Sequence, residues 1–223
     1  MVRLNSLIKI LEGYLNVRVV GVTFDFQGTL QGEEIEPMRY CEAVNKVMQN
    51  SSTVLLRARS ISCPAARKIL GFIQDGQQQM QVPIKELVEE GRFKDETTAY
   101  AALNACPRLD QSPKAVLLSR EYSDADVYVF HITPLEFMKL MQAYQYLYGQ
   151  EAHVDISSVM PVCGNCSVRP FVTKTMGISF GCNDSRQYGG ITNDKFVVGL
   201  PARYMREICE ALLMKVFSFI HND

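Results

Sequence analysis

The 223-residue sequence lacks several features that would assign it to a familiar class of protein. It has no block of basic residues and a net charge of −1, which argues against nonspecific binding to nucleic acid. No apolar run is long enough to span a bilayer. The amphipathic N-terminal stretch is interrupted by Lys9 and Glu12, and no small-residue cleavage site follows it. We therefore expect no signal peptide, no membrane partner and a cytoplasmic protein. No complete catalytic motif is present, so no substrate is identified.

Cysteine, by contrast, is abundant. Seven cysteines is a high number for a cytosolic protein, where thiols stay reduced. Metal-binding, redox or buried roles are therefore expected in place of a disulfide framework. Three of the seven lie between Val159 and Gly190, the stretch around which the chain is organised. Within it, Cys163 and Cys166 form a Cys-Gly-Asn-Cys pair, which is close enough to bind one metal ion or to form a short disulfide.

The same stretch predicts an anion-binding loop. A short strand at 178–182 ends at a cysteine, a polar turn follows at 183–185, and an arginine comes next. Two glycines nearby allow several backbone N–H groups to point into one concavity beside the guanidinium. Such a loop would bind an anionic small molecule or cofactor, whereas the alternative is a solvated surface turn. The predicted ligand-binding residues are Ser185, Arg186, Tyr188, Gly189 and Gly190.

Cys63 has the local context that most favours chemistry. It precedes Pro64, and proline is preferred at the first helical position, so Cys63 is the predicted N-cap. Unsatisfied N–H groups and the positive end of the helix dipole favour the thiolate, which is the form that binds metal or attacks. Cys41 and Cys209 lie on apolar helix faces, and Cys106 ends a helix before a proline. Local context alone therefore favours buried or structural roles for these three.

Helical and strand patterns alternate along the chain. Strands are predicted at 17–24, 53–60, 115–121, 127–132, 153–158, 178–182 and 196–200. Helices are predicted at 4–15, 38–49, 64–70, 83–90, 96–105, 134–148, 161–172 and from 201 through Val216, with a polar loop at 71–82. The loop between the third and fourth strands is short enough for a hairpin, and parallel neighbours are the alternative. His131 in the fourth strand is predicted to be a core or sheet-edge histidine. No linker divides the chain, so we expect one compact α+β domain over residues 1–223, a mixed sheet covered by helices.

Five short motifs, taken in this order, resemble an uncharacterised family found mainly in archaea and anaerobic bacteria and catalogued as a domain of unknown function. They are Cys41-Glu-Ala-Val, Ser62-Cys63-Pro64-Ala, Val162-Cys163, Gly181-Cys182 followed by Ser185-Arg186, and Val198-Gly199-Leu-Pro201. The resemblance runs from the first motif to the last helix and implies a single full-length domain. It also implies that Cys41, Cys63, Cys163 and Cys182 recur as a set. It implies no reaction, because the function of the family is not established.

Three hypotheses follow from the cysteines. The first is an iron–sulfur cluster bound by the set of four beside the arginine loop, for electron transfer or an accessory role in anaerobic metabolism, with zinc as the alternative metal. The second is a thiol–disulfide redox enzyme that uses Cys63 or the pair Cys163 and Cys166. The third is a metal-free binding module for an anionic small molecule, whose cysteines are packing residues. The first requires four distant sulfurs to gather in one place. A homo-oligomer is compatible with all three.

Overall fold

A seven-stranded mixed sheet forms the centre of the computed structural model, which describes residues 3–73, 83–121 and 125–213. The strands are β1 (Val19–Asp25), β2 (Glu33–Glu34), β3 (Val54–Leu56), β4 (Ala115–Ser119), β5 (Val127–Ile132), β6 (Gly177–Ser179) and β7 (Phe196–Pro201). Their order in the sheet is β2-β3-β4-β1-β5-β7-β6. β2 and β3 are parallel, and the other neighbours are antiparallel.

Helices cover both faces of this sheet. They are α1 (Leu4–Leu15), α2 (Tyr40–Asn50), α3 (Pro64–Ile69), α4 (Ile84–Glu89), α5 (Glu96–Asn104), α6 (Pro134–Tyr148), a π-helix (Pro161–Val168), α7 (Arg169–Thr173), α8 (Asn183–Tyr188) and α9 (Ala202–Leu213). α2, α3 and the π-helix pack on one face, and α1, α6 and α9 on the other. The predicted α+β architecture is confirmed. None of the helices in the described ranges is both long and apolar enough to cross a membrane.

The central strand β5 shows why the sequence forms these layers. Val127 and Val129 face the core under α2, whereas Tyr128 and Phe130 face the core under α1. Because successive side chains of a strand point to opposite faces, a strand that is buried on both faces is apolar throughout. His131 interrupts this run and is itself buried, which confirms its prediction as a core histidine.

β4 and β5 are not neighbours in the sheet, so they form neither the hairpin that their short loop allows nor a parallel pair. β1 lies between these strands and pairs antiparallel with both, so that Val22 faces Leu118 on one side and Val127 on the other. β4 and β5 therefore run parallel to each other, one strand apart. A short loop permits a hairpin but does not exclude this arrangement, because an earlier strand of the chain can take the intervening position.

Three other predicted strands differ from the structure. The one at 178–182 ends at Ser179, three residues before Cys182. The one at 53–60 ends at Leu56, and a 3₁₀ turn follows at Ala58–Ser60. The one at 153–158 is irregular and makes one isolated bridge, between Ile156 and Ile178. Most side chains there are exposed, so no buried face holds a register. Most of the predicted loop at 71–82 and the last part of the final helix lie outside the described residues.

The helix predicted at 161–172 begins as the π-helix and continues as α7. Every residue of the π-helix is buried, because it lies directly on the backbone of β6 and β7. Gly177 and Gly199 face each other across these strands. A Cβ atom at Gly199 would lie 2.0 Å from the carbonyl oxygen of Cys166, and one at Gly177 would lie 1.7 Å from that of Asn165. The two glycines therefore form the surface on which the π-helix is seated. π-Helices are rare in proteins, and those that do occur are often found at functional sites.

Substitution of Gly199 by alanine should destabilise the protein, because the added methyl group overlaps backbone atoms that cannot move away cheaply. We expect a loss of about 1–3 kcal/mol in the free energy of unfolding, the range for overpacked cores. Gly13, in α1, is the matched control, because among the described residues a Cβ atom there would meet nothing within 4 Å beyond its own helix. Gly13→Ala should therefore be neutral or stabilising. Chemical denaturation measures both, and equal stabilities would contradict the proposed seat.

His131 should make the fold sensitive to acid. Burial, with a smaller effect from Lys195, lowers the pKa of His131 to about 4 from its ordinary value of 6.5. Between pH 6.5 and about 4, the unfolded chain therefore binds a proton at this histidine that the folded chain does not. The folded state is fully stable above pH 6.5, and part of its free energy of unfolding is lost as the pH falls towards 4. A shift of this size corresponds to roughly 3 kcal/mol.

Denaturation at several pH values tests this expectation. His131→Gln should remove that part of the pH dependence, whereas the same change at the exposed His153 should leave the wild-type profile. If the free energy of unfolding of His131→Gln depended on pH as steeply as that of the wild type, the expectation would be contradicted.

Candidate functional site

Four of the seven cysteines line one cavity on the α2 side of the sheet, with a volume of about 530 Å³. Cys41 is the second residue of α2, and Cys163 is the third residue of the π-helix. Cys63 and Cys182 immediately precede α3 and α8. These are the four residues that the sequence predicts as metal ligands. The structure thus brings them to one place from four separate segments, while their role as ligands stays a prediction.

All four cysteines lie where helical segments begin. Cys63 occupies the N-cap position of α3 with Pro64 after it, as the sequence predicts, although its side chain makes no capping hydrogen bond. The first residues of α2 and of the π-helix also line the cavity, so unsatisfied backbone N–H groups lie close to Cys41 and Cys163. Such helix starts favour negative charge, which is the charge of a thiolate.

Burial works against ionisation of Cys41 and Cys163. It is the main cause that raises the pKa of Cys41 to about 12, and the thiols of Cys182 and Cys63 act in the same direction. Burial likewise raises the pKa of Cys163 well above its usual value, and its cysteine neighbours add to the effect. The thiols are therefore close enough to repel one another as thiolates. A cation bound among them would remove that penalty.

A hydrogen-bond chain fixes α2 against the π-helix beneath the cavity. The hydroxyl of Tyr40 donates to Oγ of Ser167 at 3.0 Å, and that hydroxyl donates to the carbonyl of Val162 at 2.7 Å. Tyr40 lines the cavity next to Cys41 and is almost fully buried. Sequence reasoning did not single out Tyr40 within the helix predicted at 38–49. The available signal is that a buried tyrosine hydroxyl requires a partner.

Cys163 and Cys166 do not face each other. Cys166 is fully buried, and its thiol donates to the carbonyl of Val197 at 3.5 Å in the sheet. It does not line the cavity, and burial raises its pKa. A dithiol enzyme needs an accessible thiolate beside its partner. The geometry therefore does not favour the predicted redox pair, because the π-helix turns one cysteine to the cavity and the other to the strands.

The polar turn predicted at 183–185 is wrong, because these residues open α8 and Arg186 lies within that helix. Oγ of Ser185 accepts from the N–H of Cys182 at 2.8 Å, an interaction that closes the helix start. Arg186 points away from the cavity lining and donates to the carbonyl of Thr192 at 3.0 Å.

The other residues of the predicted anion loop serve the contact between α8 and α2. A Cβ atom at Gly189 would lie 3.1 Å from Cβ of Cys41, and one at Gly190 would lie 2.6 Å from the side chain of Asn45. Tyr188 is 42% exposed and stacks on the guanidinium of Arg39. Ser185 is the member of the predicted set that lines the cavity.

Arg39 and Arg92 are the arginines that line the cavity. Nη1 of Arg39 lies 2.9 Å from Oδ2 of Asp184, and Nη1 of Arg92 lies 3.9 Å from the same oxygen. Nε of Arg92 also pairs with Glu90 at 2.6 Å. Sequence reasoning missed Arg39 and Arg92, because no local pattern indicates that two residues so far apart in sequence line the same cavity.

The four thiols are not arranged around one metal ion. In the ranges 3–73, 83–121 and 125–213, no three His, Cys, Asp or Glu side chains are grouped so as to hold a single ion. Sulfurs bound to one zinc at about 2.3 Å would have to lie within about 4 Å of each other. The thiolates of a cubane cluster bind different iron atoms and stand farther apart. A cubane cluster therefore requires a less close approach of the sulfurs than zinc does.

Comparison with known proteins gives a family without an assigned activity. The profile of DUF169, a family described as uncharacterised ArCR, matches residues 11–211. The chain belongs to the DUF169 family. An uncharacterised protein of Methanocaldococcus jannaschii is 26% identical over 180 residues, which cover 79% of this chain and 77% of that protein. No solved structure matches the chain. The predicted resemblance to an uncharacterised family is confirmed, and membership in DUF169 adds no reaction.

The thiols of this DUF169 protein should differ in reactivity. Cys63 and Cys182 are partly exposed at the cavity, whereas Cys166 is sealed between the π-helix and the sheet. We expect iodoacetamide to modify Cys63 and Cys182 first in the native protein and Cys166 at least tenfold more slowly. Peptide mass spectrometry measures each rate, and unfolded protein provides the reference in which all seven react. Equal native rates at Cys63 and Cys166 would contradict the described burial.

Proposed function

We propose that this protein binds a cubane iron–sulfur cluster through Cys41, Cys63, Cys163 and Cys182. The observation that carries the proposal is that these four thiols, from four separate segments, line one cavity of about 530 Å³. Four thiolates are the usual protein ligands of such a cluster, and they need not be close in sequence. When bound, the cluster would supply one-electron chemistry. The protein would then serve electron transfer or an accessory role in anaerobic metabolism, in the cytoplasm.

The charges around the cavity support the same proposal. Cys41 and Cys163 resist ionisation in the absence of a cation, because burial raises the pKa of both thiols. A bound iron–sulfur cluster would supply the compensating positive charge, and the thiol protons would leave to solvent. The helix starts and the guanidinium of Arg39 would stabilise the negative charge that remains on the thiolates.

Anaerobic reconstitution with ferrous iron and sulfide tests the proposal. We expect the wild-type chain to bind about four iron atoms and to develop the visible absorption of a cubane cluster. Changing any of the four cavity cysteines to alanine should remove most of the iron, because each ligand binds a different iron atom. Iron and sulfide analysis, absorption and electron paramagnetic resonance measure the result, and circular dichroism verifies folding.

Cys209→Ala is the matched control, because Cys209 is as buried as Cys163 but lies on the other face of the sheet. It should bind iron like the wild type. Retention of the full iron content in all four cavity variants would refute the proposal. Stoichiometric zinc binding without any cluster would point to the alternative metal.

A further inference from the structure

Arg39 is the cationic side chain that connects two of the cysteine-bearing helices. It is the N-cap residue of α2, two positions before Cys41. Its Nη1 donates to Oδ2 of Asp184 at 2.9 Å, and Asp184 follows Cys182 by two positions. The ring of Tyr188, also in α8, lies against the guanidinium, with 4.9 Å between Cζ and the ring centroid. The two helices are therefore joined at the place where each one contributes a cysteine.

The location of this ion pair indicates an electrostatic role beyond its effect on stability. The side chains of Arg39 and Asp184 are 32% and 30% exposed, and pairs at such exposure contribute little to folding. Both residues nevertheless line the cavity of the four cysteines. They place a positive and a negative charge on one wall of the site, where the dielectric screening is weaker than in bulk water.

We propose that Arg39 is a positioning residue of the four-cysteine site, and that its positive charge stabilises the negative charge of the thiolates and of a reduced cluster. This inference rests on the proposed function. Reduction adds an electron to the cluster, so a nearby positive charge favours the reduced form and a nearby negative charge opposes it. Arg39 should therefore raise the reduction potential of the cluster, and Asp184 should lower it.

Charge-removing variants on the two sides of the ion pair separate this role from a structural one. Arg39→Gln and Asp184→Asn both break the same ion pair, so a purely structural role predicts shifts of the same sign. The electrostatic role predicts opposite signs: the potential falls in Arg39→Gln and rises in Asp184→Asn. Arg39→Lys keeps the charge but loses the planar stacking on Tyr188, so its potential should lie between those of Arg39→Gln and the wild type.

Arg57→Gln provides the matched control. Arg57 forms a comparable ion pair with Glu34, with 2.8 Å between Nε and Oε1, but neither residue lines the cavity. The reduction potential of the cluster in Arg57→Gln should therefore equal that in the wild type. The measurement is an anaerobic redox titration of each reconstituted protein, followed by absorption and electron paramagnetic resonance.

The outcomes distinguish this inference from the proposed function. Shifts of opposite sign in Arg39→Gln and Asp184→Asn support the inference. Shifts of the same sign, or no shift in proteins that all bind a cluster, overturn it and leave the proposed function standing. Failure of the wild-type chain to bind a cluster overturns both.

Discussion

The contact between the π-helix and the backbone of β6 and β7 determines the position of everything else in the site. Gly177 and Gly199 leave no side chains between the two layers, so the carbonyls of Asn165 and Cys166 lie directly on the strands. The π-helical turn then holds Cys166 in the sheet and presents Cys163 to the cavity. Ser167, on the same turn, accepts a hydrogen bond from the hydroxyl of Tyr40, and this bond fixes the position of α2 against the π-helix. One close backbone contact thus sets the relative positions of two cysteine-bearing helices.

Electrostatics inside the cavity opposes ionisation of its buried thiols unless a positive charge is bound among them. Four thiols in a partly buried space repel one another when ionised, and burial adds to the cost for Cys41 and Cys163. The starts of α2 and the π-helix and the guanidinium of Arg39 act in the opposite direction. Burial thus favours the neutral thiols of Cys41 and Cys163 when no cation is bound, and a bound cation would favour their thiolates. This balance, and not the number of cysteines, makes the cavity a candidate cluster site.

The comparison of Arg186 with Arg39 shows where reasoning from local sequence fails. Arg186 follows a cysteine and a polar segment and precedes two glycines, a pattern that suggested an anion-binding loop. The segment is a helix instead, and the direction of its side chains turns Arg186 away from the cavity. Arg39 has no such pattern around it. It reaches the site because α2 packs against α8, a contact between residues 145 positions apart in sequence.

Residue patterns alone predicted most of the elements of this protein, whereas the set of four cysteines was implied by the family resemblance. Apolar periodicity and proline positions predict most helices and strands, including the helix start at Cys63, because these features act within a few residues. Only the tertiary structure decided three other features. It placed β1 between β4 and β5, separated Cys163 from Cys166, and brought Arg39 to the cavity in place of Arg186. Each depends on which surfaces meet across the sheet, and such contacts join segments whose separation in sequence carries no information about their distance in space.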